Sequence, residues 1–312
     1  MATSNILRRS LLYVPGSSQR MLDKSRSLVA DCIAYDLEDS VTPSRKADAR
    51  ILVRNAIDQP LPSEIKERAV RINSVSSGLA LGDLTEVLKS PNLSTIVIPK
   101  VESASDLHFV NDVISHTLSS SSSAQQPPIS LIALIESAKS IMNLSAICAS
   151  TPSLSGLIFA AADFSLDLSI TQTPSLTEFL YARSAIVTAA RAYNLPSTID
   201  LVCTEFKDED VLRDECLNGK RMGFNGKQCI HPSQLGTVHE VFAPSGGEVD
   251  WAVRVVVADE KAARAGRGAW SLDGKMIDVP VAERAKAIVK KATLCGVDVE
   301  SVRRRWKVEE PQ

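Results

Sequence analysis

The chain has 312 residues, 44% hydrophobic and 23% charged, with 35 basic against 37 acidic side chains and a formal net charge of −2. That length fits two ordinary domains or one large α/β barrel, and the composition excludes a mainly disordered or collagen-like chain. The near-neutral charge offers no electrostatic footprint for a nucleic-acid partner, and the one dense basic run, Arg303-Arg304-Arg305, reads as a solvated helix end.

The first residues, MATSNILRRSLLYVPG, enter a strand by about Leu11. That leaves no room for a cleavable signal peptide and points to the cytoplasm, with Arg8 and Arg9 a hint of organelle (mitochondrial) import. Short β-rich apolar runs then recur at 10–15 (SLLYVP), 32–38 (CIAYDLE), 68–73 (RAVRIN), 94–100 (STIVIPK), 130–136 (SLIALIE), 154–163 (LSGLIFAAAD), 197–202 (STIDLV) and 226–232 (GKQCIHP). Between them, amphipathic segments such as 18–29 and 177–193 repeat apolar residues every three or four positions. Continuous apolar strands alternating with helices imply parallel strands buried on both faces. Eight such units predict an α/β fold, a (β/α)8 TIM barrel over 1–242. A Rossmann sheet would need a glycine-rich turn after the first strand, and Pro15-Gly16-Ser17-Ser18 does not supply one.

The uncharged stretch 140–162 is long enough to cross a bilayer, but Pro152, Gly156 and several serines argue against a membrane span. The serine-rich 115–128 reads as a solvated loop before the fifth strand. Cys32, Cys148, Cys203, Cys216, Cys229 and Cys295 show no CxxC pair, so buried thiols in a reducing compartment are expected. After the eighth strand come a helix at 233–242, a Pro-Gly-rich break at 243–248, a long helix at 249–265, a hairpin signal at Asp273-Gly274 and a final helix. A closed barrel has no slot for this C-terminal helical and hairpin extension, 243–312, which is expected to pack on the barrel mouth or a neighbouring subunit.

Barrel enzymes place reacting groups at the C-terminal ends of their strands. Here strand two ends in Asp36, Glu38 and Asp39, strand three in Arg71 and Asn73, strand four in Lys100, strand five in Glu136 and strand six in Asp163. Glu136 and Asp163 lie one barrel unit apart and can share a hard divalent cation with open positions, the usual way of holding Mg²⁺. Arg71 is placed to clamp a carboxylate or steady a developing oxyanion. Structural readings stay open: Asp163 as a helix N-cap, Arg71 as an ion-pair partner of Asp36 or Glu38, and Asp278 as the cap of a helix near Pro280. His108 and His116 read as helix-surface residues and His231 as part of a turn, so no histidine base is expected.

The segments RSLLYVPGSSQRMLDKS, ADCIAYDLEDSVTPSRKADAR, VRIN, IVIPKVES, LIALIESAKSI and MGFNGKQCIHPSQ resemble the citrate lyase β-subunit-like branch of the HpcH/HpaI aldolase superfamily, in order from Arg9 to about Ala292. LYARSAIVTAARAYNLPSTIDLV followed by GAWSLDGKMIDVP is most similar to its stand-alone citramalyl-CoA lyase type. The resemblance implies a Mg²⁺-dependent barrel, commonly trimeric, that cleaves a 3-hydroxyacyl-CoA thioester to acetyl-CoA and a 2-oxo acid. It makes Glu136 and Asp163 the metal ligands. Substrate contacts fall to Arg71, Lys100 and Glu136, while Asp36, Glu38 and Asp39 would hold metal-bound water and Arg71 in place. Asp278 becomes an acid/base group delivered from an adjacent subunit. One departure is Ala160-Ala161-Ala162 before Asp163, where the family has a Gly-Ala-Glu-like run. The competing readings are malate synthase or thioesterase-like chemistry, a CoA-independent 2-oxo acid aldolase, and a non-catalytic CoA-binding subunit. The last has no need of Arg71, Glu136, Asp163 and Asp278 together.

Overall fold

The computed structural model describes residues 6–120 and 128–312. Its branched and leucine-rich runs form β1 (Ser10–Pro15), β2 (Ala30–Asp36), β3 (Ile65–Arg71), β4 (Thr95–Ile98), β5 (Ser130–Ile135), β6 (Leu154–Phe159), β7 (Ser197–Asp200) and β8 (Gly226–Cys229), which close in sequence order into one barrel. The pairings are parallel, and β8 returns to β1 through Ser10 opposite Lys227. Covering helices are α1 (Gln19–Ser25), α2 (Lys46–Asp58), α3 (Ala80–Val87), α4 (Ala104–Ser120), α5 (Ala138–Met142), α6 (Leu144–Cys148), α7 (Ala161–Leu168), α8 (Leu180–Ala192), α9 (Glu209–Met222) and α10 (Leu235–Phe242). The expected (β/α)8 architecture is therefore what the chain forms.

Every second residue of a barrel strand points inward. Leu11, Cys32, Ala34, Ala69, Val97, Ile132, Leu134, Ile158 and Ile199 accordingly make one apolar interior cluster, with Tyr13 packed against it. The larger cluster lies between strands and helices and includes Leu12, Ile33, Tyr35, Val70, Leu107 and Phe159. Gly16, just past β1, lets the chain pass close to β2: a Cβ there would stand 2.6 Å from the Asp36 carbonyl, to which the Gly16 N–H donates at 2.9 Å.

Strand six stops at Phe159 rather than Asp163, because the three alanines are strong helix formers and open α7 at Ala161. Residues 115–120 of the serine-rich stretch continue α4, whose Leu107, Val110 and Ile114 form a buried stripe, and 121–127 lie outside the described residues. The stretch 140–162 holds α5, α6 and β6, and no helix among the described residues is long and apolar enough to cross a membrane. Cys32, Cys148, Cys203, Cys216 and Cys229 are free and buried, while Cys295 is only half-buried at a helix end.

The chain divides into two units, up to Phe242 and from Ala243. The second contains α11 (Gly246–Arg264), the hairpin β9 (Trp270–Leu272) and β10 (Lys275–Ile277), α12 (Val279–Leu294) and α13 (Val299–Arg305). Gly246 and Gly247 are not a break but the first turn of α11, started by a reciprocal Ser245–Glu248 capping box. The hairpin turn has Asp273 at φ 49° and Gly274 at φ 72°, the left-handed pair that an Asp-Gly turn favours. The expected final helix is two, parted at Gly296 with φ 86°. The basic run is ion-paired at both ends, Arg303 with Glu260 at 2.6 Å and Arg305 with Asp250 at 2.8 Å.

Candidate active site

At the C-terminal mouth of the barrel, Asp36 and Arg71 stand opposite each other as the last residues of β2 and β3. Arg71 donates through Nε to Asp36 Oδ1 at 2.7 Å and through Nη2 to Oδ2 at 2.8 Å, a planar fork on a carboxylate. Its third nitrogen is 3.1 Å from Glu38. The guanidinium lies over the Tyr13 ring, 4.5 Å from its centroid, and the Tyr13 hydroxyl donates to Gln228 Oε1 at 3.0 Å. Burial opposes ionisation of Asp36, but Arg71 and Ser40 outweigh it and hold the carboxyl below its ordinary range. The ion-pair reading of Arg71 is thus realised, in a form that also fixes the guanidinium plane.

Glu38 bridges the two cations of the mouth, because Lys100 Nζ donates to its Oε1 at 2.6 Å. Burial nevertheless raises the Glu38 carboxyl, against the pull of Arg71 and Lys100. Asp39 is peripheral: its exposed carboxylate is 3.8 Å from Arg71 and 3.9 Å from Lys100. Lys100 follows β4 with φ 52°, a left-handed backbone uncommon for a residue with a side chain and the kind of local strain that collects at functional sites.

Glu136 and Asp163 line a cleft of about 320 Å³ together with Lys100, Ser76, Asp106 and Asp167. Glu136 follows β5 and is 5% exposed. It caps nothing, since Ser137 performs that service for α5. Its carboxyl is pushed up to about 8, first by burial and then by the like charges of Glu38 and Asp163, with the Lys100 backbone N–H opposing. Asp163 is not an N-cap either: Ala160 holds that position, and Asp163 sits half-buried in the first turn of α7.

Among the described residues no group of three or more His, Cys, Asp or Glu side chains is arranged around a metal position. The donor set is two hard carboxylates that repel one another in a poorly solvated cleft, with no nitrogen or sulfur ligand. That set suits a divalent cation such as Mg²⁺, which is commonly held by one or two carboxylates and keeps its remaining positions for water and substrate. The residues present therefore fit the metal that sequence reasoning assigned to them.

Sequence reasoning did not find Tyr13, Lys46 or Gln228. Lys46, at the start of α2, spends its three donors on the carbonyls of Leu37 and Glu38 and on Asn73 Oδ1, at 2.7, 2.7 and 2.6 Å. Asn73 is itself held by Asp83, which accepts from its backbone and side-chain nitrogens at 2.7 Å. This clamp fixes the turn that carries Glu38. Gln228 donates to the carbonyls of Phe159 and Asp200 and so ties three strands beneath the mouth. The inward alternation of Leu11 and Tyr13 in β1 was the available signal for Tyr13.

His108 and His116 are exposed on α4, and His231 caps the turn 232–234, all as expected. Asp278 is the N-cap of α12, accepting from the Val281 N–H at 3.2 Å.

With this geometry in hand, known proteins give a consistent picture. The family model described as HpcH/HpaI aldolase/citrate lyase matches residues 9–232. The mitochondrial citramalyl-CoA lyase of Rattus norvegicus is 36% identical over 295 residues, covering 92% of this chain and 86% of that protein. The citrate lyase subunit beta of Haemophilus influenzae is 36% identical over 286 residues, covering 92% and 97%. The solved structure of CitE from Mycobacterium tuberculosis in complex with magnesium, acetoacetate and coenzyme A superposes with a TM-score of 0.72 at 27% identity, covering 93% of this chain and 99% of that one.

Proposed function

The chain belongs to the HpcH/HpaI aldolase/citrate lyase family and is a carbon–carbon lyase of the CoA-thioester class, and from that premise we propose that it cleaves a 3-hydroxyacyl-CoA of the citramalyl or malyl type, with Mg²⁺, to acetyl-CoA and a 2-oxo acid. The observation that carries this reading is the convergence of Arg71, Lys100, Glu136 and Asp163 at one end of the barrel.

Glu136 and Asp163 would hold the metal. When bound, Mg²⁺ supplies Lewis acidity that makes the substrate hydroxyl easier to deprotonate. Loss of that proton lets the carbon–carbon bond break, leaving a 2-oxo acid and the enolate of acetyl-CoA. Arg71 meets the enolate oxygen with a charge already fixed by Asp36, Glu38 and the Tyr13 ring, so little reorganisation is needed as negative charge develops. Lys100 contributes a second cation at the cleft wall for the substrate carboxylate. Asp278 of a neighbouring copy in a homo-oligomer, of which a trimer is the expected form, is the proposed acid/base group: its carboxylate would take the proton lost by the hydroxyl and return it to the enolate carbon.

The test is a mass-spectrometric assay of citramalyl-, malyl- and citryl-CoA cleavage with and without Mg²⁺. Glu136→Ala and Asp163→Ala should each abolish lyase activity in a folded protein. Activity retained by either variant, or full activity in EDTA, would overturn the metal assignment. CoA release without a 2-oxo acid product would favour a thioesterase, and turnover of free oxo acids alone a CoA-independent aldolase. For Asp278, subunit exchange between inactive Asp278→Ala and inactive Glu136→Ala chains should regenerate activity, and no recovery in verified mixed oligomers would remove it from the neighbour's site.

A further inference from the structure

Glu136 and Asp163, the carboxylates assigned to the metal, come from different pieces of the rim. Glu136 lies in the segment that leads from β5 into α5, and Asp163 in the first turn of α7. A site of two carboxylates depends on their spacing, and groups that orient metal ligands from behind are worth about 10- to 100-fold in metal affinity.

The start of α7 has little local support, because its N-cap, Ala160, supplies no side-chain hydrogen bond. Its buried face is pinned by Phe164, which meets Phe159 and Phe179 edge-on with centroids 5.4 and 6.4 Å away. The side that lines the cleft carries Asp163 and, one turn on, Asp167. Asp167 Oδ2 accepts from the Ala138 N–H at 2.7 Å. Ala138 is the first residue of α5 and lies just past Glu136 and Ser137, so one charge-assisted hydrogen bond joins the segments that carry the two ligands. The other side of α5 is anchored to the turn after Lys100: Asn143 Nδ2 donates to the Glu102 carbonyl and Lys139 Nζ to the Glu102 carboxylate, both at 2.8 Å. That turn is itself held by Asp106, which accepts from the Glu102 and Ser103 N–H groups at 3.0 Å. Asp167 extends this stitched rim from α5 to α7.

We propose that Asp167 is a positioning residue for the metal site, a latch that holds Asp163 in place relative to Glu136. This rests on the lyase reading above and adds to it a residue that acts through the ligands rather than on the substrate. A different role for the carboxylate, as one more negative charge in the cleft, separates cleanly from the latch. Asparagine at 167 keeps an acceptor for the Ala138 N–H and loses the charge. Proline at 138 removes the donor and leaves the charge; it suits the first position of a helix, and Ser137 before it is already extended at φ −143° and ψ 161°.

The experiment is calorimetric titration with Mg²⁺ of the wild type, Asp167→Ala, Asp167→Asn, Ala138→Pro and the double variant Asp167→Ala/Ala138→Pro, each with its melting temperature. Kd for Mg²⁺ should weaken about tenfold in Asp167→Ala and in Ala138→Pro, by no more than that in the double variant, and stay near the wild-type value in Asp167→Asn. An unchanged Kd in Asp167→Ala, even with a lowered melting temperature, overturns the latch. Equal weakening in Asp167→Ala and Asp167→Asn with Ala138→Pro unaffected also overturns it, in favour of a bare charge effect. Both of those outcomes leave the metal assignment standing, whereas a wild type that binds no Mg²⁺ would overturn that assignment and the latch with it.

Discussion

Both ends of the barrel interior are ionic, and they differ in how the charges balance. At the lower end, Arg8 is 2% exposed and forks onto Glu67 at 2.6 and 2.7 Å, with its remaining nitrogen on Ser155. Burial opposes ionisation of Glu67, yet Arg8 and Thr95 hold its carboxyl below the ordinary range. Beside it, Arg9 and Asp31 pair at 2.8 Å. At the upper end, beyond a layer of Ala34, Ala69, Val97 and Ile132, the carboxylates of Asp36, Glu38, Glu136 and Asp163 outnumber Arg71 and Lys100. Glu136 is pushed up to about 8, first by burial and then by the like charges of Glu38 and Asp163. A balanced buried pair serves folding, whereas an imbalance kept by the fold is available to a ligand. This is the physical content of the division between the stabilising and catalytic faces of such barrels.

The contrast can be broken from either side. Arg8→Met strands Glu67 in the interior and should lower unfolding free energy by about 3–5 kcal/mol in urea denaturation, with turnover per folded molecule retained. A matching loss of turnover at full folding would show the lower end to be part of the site. Arg71→Lys keeps the charge but loses the fork, so kcat/KM should fall by about 100-fold or more while the melting temperature moves little. Near wild-type turnover would reduce Arg71 to a distant counter-charge.

Smaller effects sharpen the comparison. Lys46→Met frees the turn that carries Glu38, and kcat should drop by roughly tenfold, as for a displaced electrostatic group, with KM changed less. An unaltered kcat would mean that Asn73 and Asp83 hold the turn alone. At the lower end, His239 lies 2.7 Å from Ser10 Oγ, and burial lowers its pKa despite the nearby Asp31. The unfolded chain therefore takes the proton first, near pH of about 6.5, so stability present above that pH is lost as pH falls through the folded value. Melting temperatures measured from neutral to mildly acidic pH should show this loss, and His239→Gln should flatten it. A variant profile parallel to the wild type would assign the acid sensitivity to other groups.

Much of the site could be read before folding because strand ends are marked by chemistry. Glu136, Lys100 and Arg71 each terminate an apolar run, and a barrel brings such ends together whatever their separation along the chain. Asp163 lines the same cleft as Glu136 but sits in α7 rather than at the end of a strand, since alanine after a buried strand carries no mark of where helix begins. Tyr13 and Lys46 escaped notice for a different reason: their roles depend on contacts with Arg71 and with the Leu37 and Glu38 carbonyls, across strand pairs or around a turn.

What sequence alone settled was the periodic part: eight apolar runs, helices between them, and polar residues at one end of each run, because hydrophobic periodicity and the parallel barrel leave few other arrangements. What only the tertiary structure decided was charge balance and orientation. Asp36 is spent on Arg71, Glu38 is shared between two cations, and Glu136 is left against Asp163. Those outcomes turn on distances of a few ångströms and on water excluded by neighbouring strands, neither of which is written in the order of residues along one strand.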